Sequence, residues 1–145
     1  LVRKIILGSA FFKREGMYPG FWEFRKNASL DNMPKLLKEE YVKVAPDSNG
    51  LIKMFEKDKN RMIEFKDWDE DVLRSIKAPA FIISGDKDVM RPEHAVEMYR
   101  LIPNAQLAIL PGGNGEYMGE ITTLTSEKED YQYFISLVET FLNKK

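Results

Sequence analysis

The sequence predicts an α/β fold built on three parallel strands and their connecting helices. Three short apolar segments have the composition of buried strands: residues 1–7, 80–84 and 106–110. Helical patterns fill the stretches between them, and strands that are joined through helices run parallel. We therefore expect a core formed by residues 1–9 and 77–145, and a helical insertion formed by residues 10–76.

The insertion is predicted to contain four helical segments: Phe21–Arg25, Leu30–Val44, Leu51–Phe65 and 67–76. Asp31 is the expected N-cap of the second segment, since a short acidic side chain can accept a bond from a free backbone N–H. Pro34 is expected in its first turn, where a missing N–H is harmless. The acidic residues between Asp67 and Asp71 favour the start of the fourth segment.

The second half of the chain alternates strand and helix more tightly. The strand at 80–84 runs into Gly85 and an acidic turn, and Pro92 opens a helix that ends at Leu101. After the strand at 106–110 comes the glycine-rich loop Pro111–Gly115. A C-terminal helix is predicted from Glu127 to Leu142, because its apolar residues recur at helical spacing.

Composition excludes several classes of protein. The chain has 145 residues, of which 43% are hydrophobic and 31% charged, with a net charge of −1 and no cysteine. A net charge so close to zero gives no field that would attract nucleic acid or an anionic membrane surface. The absence of cysteine fits a reducing compartment such as the cytoplasm. No apolar run approaches the roughly 20 residues that span a bilayer.

The acidic turn after the second strand is the best candidate for catalytic chemistry. In parallel sheets, ligands and reacting groups lie at the carboxyl ends of the strands, which is where Asp86 and Asp88 fall. Asp86 is expected to stabilise the turn itself. His94 is the only histidine, and we expect it at the surface or at a helix end, since it does not follow a strand.

Two segments of the second half resemble the C-terminal half of an α/β-hydrolase-fold protein. Gly85-Asp-Lys-Asp88, followed by Pro92, is similar to that family's acid turn. Ile102-Pro-Asn-Ala105, followed by 107–112, is similar to the approach to its histidine loop. The resemblance implies that Asp88 is the acid of a Ser-His-Asp triad, that residues 10–76 are a helical cap, and that no cofactor or metal is needed. It also places Asn114 at the histidine position.

The sequence departs from this pattern at the other two triad positions. No serine lies in a Gly-x-Ser-x-Gly elbow, and we expect that elbow upstream of Leu1. Asn114 carries an amide, which is not a base at neutral pH. We therefore expect part of a serine hydrolase that acts on ester or similar acyl bonds and is inactive alone. The alternatives are a catalytically dead relative that binds or interacts, and an unrelated three-stranded α/β domain.

Aromatic residues cluster after the first strand, where a cap would cover a site. Four of them are candidates for binding a small-molecule substrate: Phe11, Phe12, Tyr18 and Trp22. Packing between cap and core would use the same residue types, so both interpretations stay open.

The first strand, at 1–7, is apolar and lies at the start of the chain. If the chain is a half-domain, this strand has an unpaired edge, and such edges pair with other chains. We therefore expect a homo-oligomer that forms through this edge.

Overall fold

The computed structural model describes residues 2–45, 47–123 and 131–144. Its contacts divide the chain into two compact units. One unit combines Leu1–Tyr18 with Asp67–Lys145, and the other consists of Pro19–Lys66. The helical unit is shorter than the predicted insertion, and the assignment of residues 10–76 as a cap stays a prediction.

The larger unit is built on a parallel three-stranded sheet, as predicted. The strands are β1 (Ile5–Gly8), β2 (Ala80–Lys87) and β3 (Ala105–Gly113), in the spatial order β1-β2-β3. Both pairings are parallel, so all three carboxyl ends lie at one edge of the sheet. β2 and β3 each continue about three residues beyond the predicted strands. These extra residues include the first part of the acidic turn, up to Lys87, and the first part of the glycine-rich loop, up to Gly113.

The core of this unit lies on both faces of the central strand. On one face, Phe81 and Ile83 of β2 pack against Tyr117. Phe134 and Phe141 of the C-terminal helix complete this cluster. That helix is α6 (Gln132–Asn143). Side chains alternate along a strand, so Ile82 points to the opposite face. The helix α5 (Pro92–Leu101) packs against β2 and β3, and it begins and ends where the sequence predicts.

The smaller unit contains three helices. They are α1 (Phe21–Lys26), α2 (Lys35–Val44) and α3 (Ser48–Ile63), and α3 packs against the other two. Trp22 stacks on Phe65 within this unit, with ring centroids 6.2 Å apart. The Asp47 side chain accepts a bond from the backbone N–H of Asn49 and so caps α3.

The prediction of one helix over Leu30–Val44, with Pro34 in its first turn, is wrong. Leu30–Asn32 forms a short 3-10 turn with a capping box on Ser29, and α2 begins only after Pro34. A proline disfavours helical geometry at the residue before it, and this separates the turn from α2. Asp31 lies within the turn and is not the N-cap.

The helix expected at 67–76 is the short α4 (Glu70–Arg74), which belongs to the larger unit. Asp69 caps it by accepting a bond from the backbone N–H of Asp71 at 2.9 Å. The first part of the predicted C-terminal helix, at 127–130, lies outside the described residues. Within the described ranges, no helix is both long enough and apolar enough to cross a bilayer.

Candidate active site

The Asp88 carboxylate is the buried charged group at the carboxyl end of the sheet. It is only 3% exposed. Its Oδ1 accepts a hydrogen bond from the backbone N–H of Val89 at 2.7 Å. Its Oδ2 accepts from the hydroxyl of Ser9 at 2.5 Å and, over a longer 3.4 Å, from the backbone N–H of Gly85. Both oxygens are thus held by hydrogen-bond donors of the chain.

Two hydroxyl groups form a chain that ends on this carboxylate. Ser9 lies directly after β1, and its Oγ is 2.9 Å from the hydroxyl of Tyr117, whose own oxygen lies 3.2 Å from the carbonyl of Ile83. Burial raises the pKa of Tyr117, and the nearby Asp88 charge raises it further, against the opposing bond to Ser9. Tyr117 therefore stays protonated at neutral pH and is a hydrogen-bond donor.

Asn114 lies at the neighbouring strand end but outside this network. Lys87 of β2 is the register partner of Gly113 in β3, so Asp88 and Asn114 each follow the last paired residues of the two strands. The Asn114 residue is exposed. Its side chain makes no hydrogen bond with the part of the chain that the structure describes. The structure thus places the two predicted residues at adjacent strand ends without bonding them to each other.

Two carboxylates hold the glycine-rich loop around Asn114. Asp86 accepts the backbone N–H of Gly112 at 2.9 Å, and Glu116 accepts that of Gly113 at 2.7 Å. These N–H groups are therefore already bonded and are not free to bind an anion. The prediction that Asp86 stabilises its own turn is wrong, because Asp86 is a residue of β2 and its carboxylate holds the glycine-rich loop instead.

Of the two positions expected for His94, the helix end is confirmed and the surface is wrong. The residue lies near the start of α5, yet it is only 1% exposed. Its ring stacks on Phe12 with centroids 4.7 Å apart. Gly16 lies against the ring, where even a Cβ atom would overlap it. A small residue in the loop before the helical unit thus makes room for a buried imidazole.

The hydrogen bonds of His94 fix its tautomer. Nε2 accepts the backbone N–H of Phe12 at 3.2 Å, so the proton lies on Nδ1, which donates to Glu97 at 2.9 Å. Burial lowers the pKa of His94, and the bond to Glu97 offsets this only in part. The ring is therefore neutral at pH 7. It has no free nitrogen and lies among packed groups, so it is not a catalytic base.

Lys13 links this histidine to the start of α4. Its ammonium group contacts Glu97 at 2.8 Å and Glu70 at 3.0 Å. The bond to Glu97, and then that to Glu70, raises the pKa of Lys13. The bond to Lys13 is in turn the main cause of a lowered pKa at Glu70. The network joins the loop after β1 to α4 and α5, so its role is structural.

The four aromatic candidates for substrate binding occupy different environments. Phe12 is buried beneath His94, Phe11 is half-buried, and Tyr18 is exposed, all in the larger unit. The backbone N–H of Tyr18 bonds to the carbonyl of Val89, next to Asp88. Trp22 belongs to the helical unit. A shared substrate pocket formed by these residues stays a prediction.

Solved structures that are similar to this chain include esterases and other hydrolases. A meta-cleavage product hydrolase from Pseudomonas fluorescens has 20% sequence identity and a TM-score of 0.63, over 98% of this chain and 56% of that one. An esterase from Thermogutta terrifontis has 18% identity and a TM-score of 0.57, over 97% and 55%. An enol-lactonase from Burkholderia xenovorans has 16% identity and a TM-score of 0.57, over 99% and 57%.

The chain has a partial α/β-hydrolase fold. This agrees with the resemblance to the C-terminal half of such a protein. The chain spans little more than half the length of the hydrolases that it matches. No protein-family model matches the sequence, and no curated protein matches it. Identities of this size show the fold and leave the activity to be argued from the site.

Sequence reasoning missed two members of the Asp88 network in this hydrolase fold. Ser9 had a usable signal, because it follows Gly8 at the end of a predicted strand, where sites in parallel sheets form. Tyr117 had none. It reaches the network because the chain turns tightly after β3, through Gly115 at φ 75° and a short 3-10 turn at Glu116–Met118.

Proposed function

We propose that this chain is the acid-bearing part of a serine hydrolase that acts on ester or similar acyl bonds of small molecules, and that it does not hydrolyse them alone. The observation that carries the proposal is the Asp88 carboxylate. It is buried, bonded at both oxygens, and located at the strand end next to position 114. A triad acid orients a histidine and stabilises its charged form, and such a role requires an ionised, fixed carboxylate.

The step that this chain lacks is proton transfer. A serine nucleophile needs a base within hydrogen-bond reach. Asn114 offers only an amide, and His94 has both ring nitrogens bonded in the interior. Ser9 does not substitute as a nucleophile, because its proton is bonded to Asp88, and a carboxylate is a weak base at neutral pH. The chain therefore keeps the acid and its surroundings without a base to orient.

The proposed substrate class follows from chemistry that the similar structures share. Two of them are described as an esterase and an enol-lactonase, and a lactone is a cyclic ester. Those descriptions belong to those proteins. For this chain they support an acyl bond to oxygen as the target of the complete site.

The experiment is an assay of purified chain with para-nitrophenyl acetate and butyrate. We expect no hydrolysis above the buffer rate and no labelling by a fluorophosphonate probe. Asp88→Asn is the matched control, since a true triad activity must fall with the acid, whereas a contaminant's activity does not. Hydrolysis that survives rigorous purification and falls in the Asp88→Asn variant would contradict the proposal.

A second candidate function is binding without catalysis, in a relative that has lost its activity. Asn114 favours it, as does a cavity of about 490 Å³ between β3 and α6. Its walls are mainly apolar: Leu110, Pro111, Tyr117, Tyr133 and Leu137, with Glu116 at one side. Cavities of a few hundred Å³ accommodate small ligands. The gene sequence before Leu1 discriminates the two functions, because a Gly-x-Ser-x-Gly elbow there supports the enzyme and its lack supports the binder.

We also propose that the chain self-associates through β1. This strand has only β2 as a neighbour within the described sheet, and Ile6 is 37% exposed there. Light scattering should give a mass that rises with concentration, and Ile6→Lys should abolish the rise, because charges block edge pairing. Ile109→Lys is the matched control on the other edge strand, at 38% exposure. A mass that stays monomeric at every concentration overturns this proposal.

A further inference from the structure

The backbone of Ser9 is held in an unusual conformation. Its φ is 48°, the only positive value at a non-glycine residue in the described ranges. Serine rarely adopts this left-handed geometry, and residues held there cluster at functional sites. The Ser9 N–H donates to the carbonyl of Ile83 at 2.9 Å, and so continues the pairing of β1 with β2. Backbone and side chain together fix Ser9 against the end of β2.

Counting protons gives the hydrogen bonds a direction. The Asp88 carboxylate can only accept, so the Ser9 hydroxyl donates its single proton to Oδ2. Ser9 is then the acceptor in its contact with Tyr117, whose single hydroxyl proton is shared between the Ser9 oxygen at 2.9 Å and the carbonyl of Ile83 at 3.2 Å. The order is therefore Tyr117 to Ser9 to Asp88. Such chains strengthen each bond along them.

These hydrogen bonds leave few acceptor sites on the Asp88 carboxylate for another donor. Val89 occupies Oδ1, and Ser9 and Gly85 reach Oδ2, while solvent reaches almost none of the residue. A histidine at position 114 would need one of these oxygens to become oriented. At Oδ2 it would have to share the oxygen with Ser9 or displace it, and at Oδ1 it would have to share with the N–H of Val89.

We propose that Ser9 is a positioning residue that, with Tyr117 behind it, occupies Oδ2 of Asp88 and so keeps a histidine at position 114 from pairing with that carboxylate. This rests on the proposed function, since it assigns Asp88 as the acid. Ser9 acts on the acid and touches no substrate. It follows that restoring the histidine alone does not restore an acid–histidine pair, and that Ser9 must be removed as well.

The test measures the pKa of a histidine introduced at position 114 by NMR titration. Three variants are compared: Asn114→His alone, Asn114→His with Ser9→Gly, and Asn114→His with Ser84→Ala. Glycine accepts the positive φ of Ser9, so Ser9→Gly removes the hydroxyl without straining the turn. Ser84 is a buried serine on β2 whose hydroxyl has no partner among the described residues, which makes it a matched control.

We expect a pKa near the ordinary 6.5 in Asn114→His and in the Ser84→Ala control. With Ser9→Gly the freed carboxylate should raise it by about one unit, as nearby opposite charges do. Adding Asp88→Asn should remove that rise. An equal rise in all three variants would overturn the role of Ser9 but leave Asp88 as the acid. No rise in any variant would overturn both this proposal and the assignment of Asp88 as the acid.

Discussion

The ends of β2 and β3 lie side by side, yet they are built differently. At the end of β2, the Asp88 carboxylate is buried and bonded at both oxygens. At the end of β3, Asn114 is exposed, and its amide bonds to no described residue. We call the end of β2, where the polar side chain is buried and bonded, the closed end. We call the end of β3, where it is exposed, the open end. One strand end of this fold thus buries and bonds its polar side chain, while the neighbouring end leaves its own in solvent.

The largest effect should come from adding one methyl group at the closed end. In Gly85→Ala, the new Cβ would overlap the carbonyl oxygen of Gly112 and lie 2.8 Å from that of Gly113. Both are backbone atoms of the paired strand, so β2 and β3 must separate. We expect a loss of about 3 kcal/mol in the free energy of unfolding, measured by urea denaturation.

Gly113→Ala is the matched control at the open end. Its Cβ would meet Glu116 at 3.5 Å and the carbonyl of Lys87 at 3.8 Å, which are ordinary contacts. We expect a change within about 0.5 kcal/mol. Equal losses in the two variants would mean that the two strand ends are equally closed.

Changing the polar side chain at each strand end gives the next effect. Asp88→Asn replaces one acceptor oxygen by a donor amide among buried donors, so we expect the free energy of unfolding to fall by about 2 kcal/mol. Asn114→Ala removes an exposed amide and should change it by less than about 0.5 kcal/mol. Thermal and urea denaturation of both variants measure this. An Asn114→Ala variant as unstable as Asp88→Asn would show that Asn114 has bonding partners.

The smallest effect concerns the histidine, which lies in the closed part of the unit. Burial lowers the pKa of His94 in the folded protein, so the unfolded chain binds its proton more readily. The contribution of His94 to the free energy of unfolding should therefore be complete above about pH 6.5, and it should be lost progressively as the pH drops below that value. The lowered pKa values of Glu70 and Glu97 act only below about pH 4.5.

Urea denaturation at pH 7.5 and pH 5.5 isolates the histidine contribution. His94→Gln should have a flatter pH dependence over this interval than the unmodified chain, whatever its stability at pH 7.5. A slope that is unchanged in the variant would mean that His94 is accessible to protons, and so would place it in an open part of the molecule.

The order of strands and helices could be predicted because each element carries its own signal. Pro92 at the first position fixed the start of α5, and continuous burial from Ala80 to Gly85 matches an apolar run bounded by turn residues. The parallel sheet followed from the helices between the strands. The apolar pattern continues across Pro34 and so predicts one helix, whereas the proline keeps Met33 in an extended conformation and divides the segment.

The candidate site could be predicted only in part. The position of Asp88 and Asn114 at neighbouring strand ends could be predicted, because each directly follows an apolar strand segment and its turn, and their roles stay a prediction. The burial of His94 could not be predicted, because its partners Phe12 and Gly16 are distant in the chain and come together only in the folded unit. Tyr117 is likewise placed by a tertiary turn. Contacts of this kind leave no local periodicity in a sequence.

The side-chain amide of Asn114 gives the most direct test of the difference between the two strand ends. Heteronuclear NMR can follow its hydrogen exchange and chemical shift in the unmodified chain and in Asp88→Asn. We predict exchange as fast as that of a free asparagine amide, and signals that do not move in the variant. A protected amide whose signals shift when Asp88 is changed would show that the two strand ends form one bonded site, and would contradict this account.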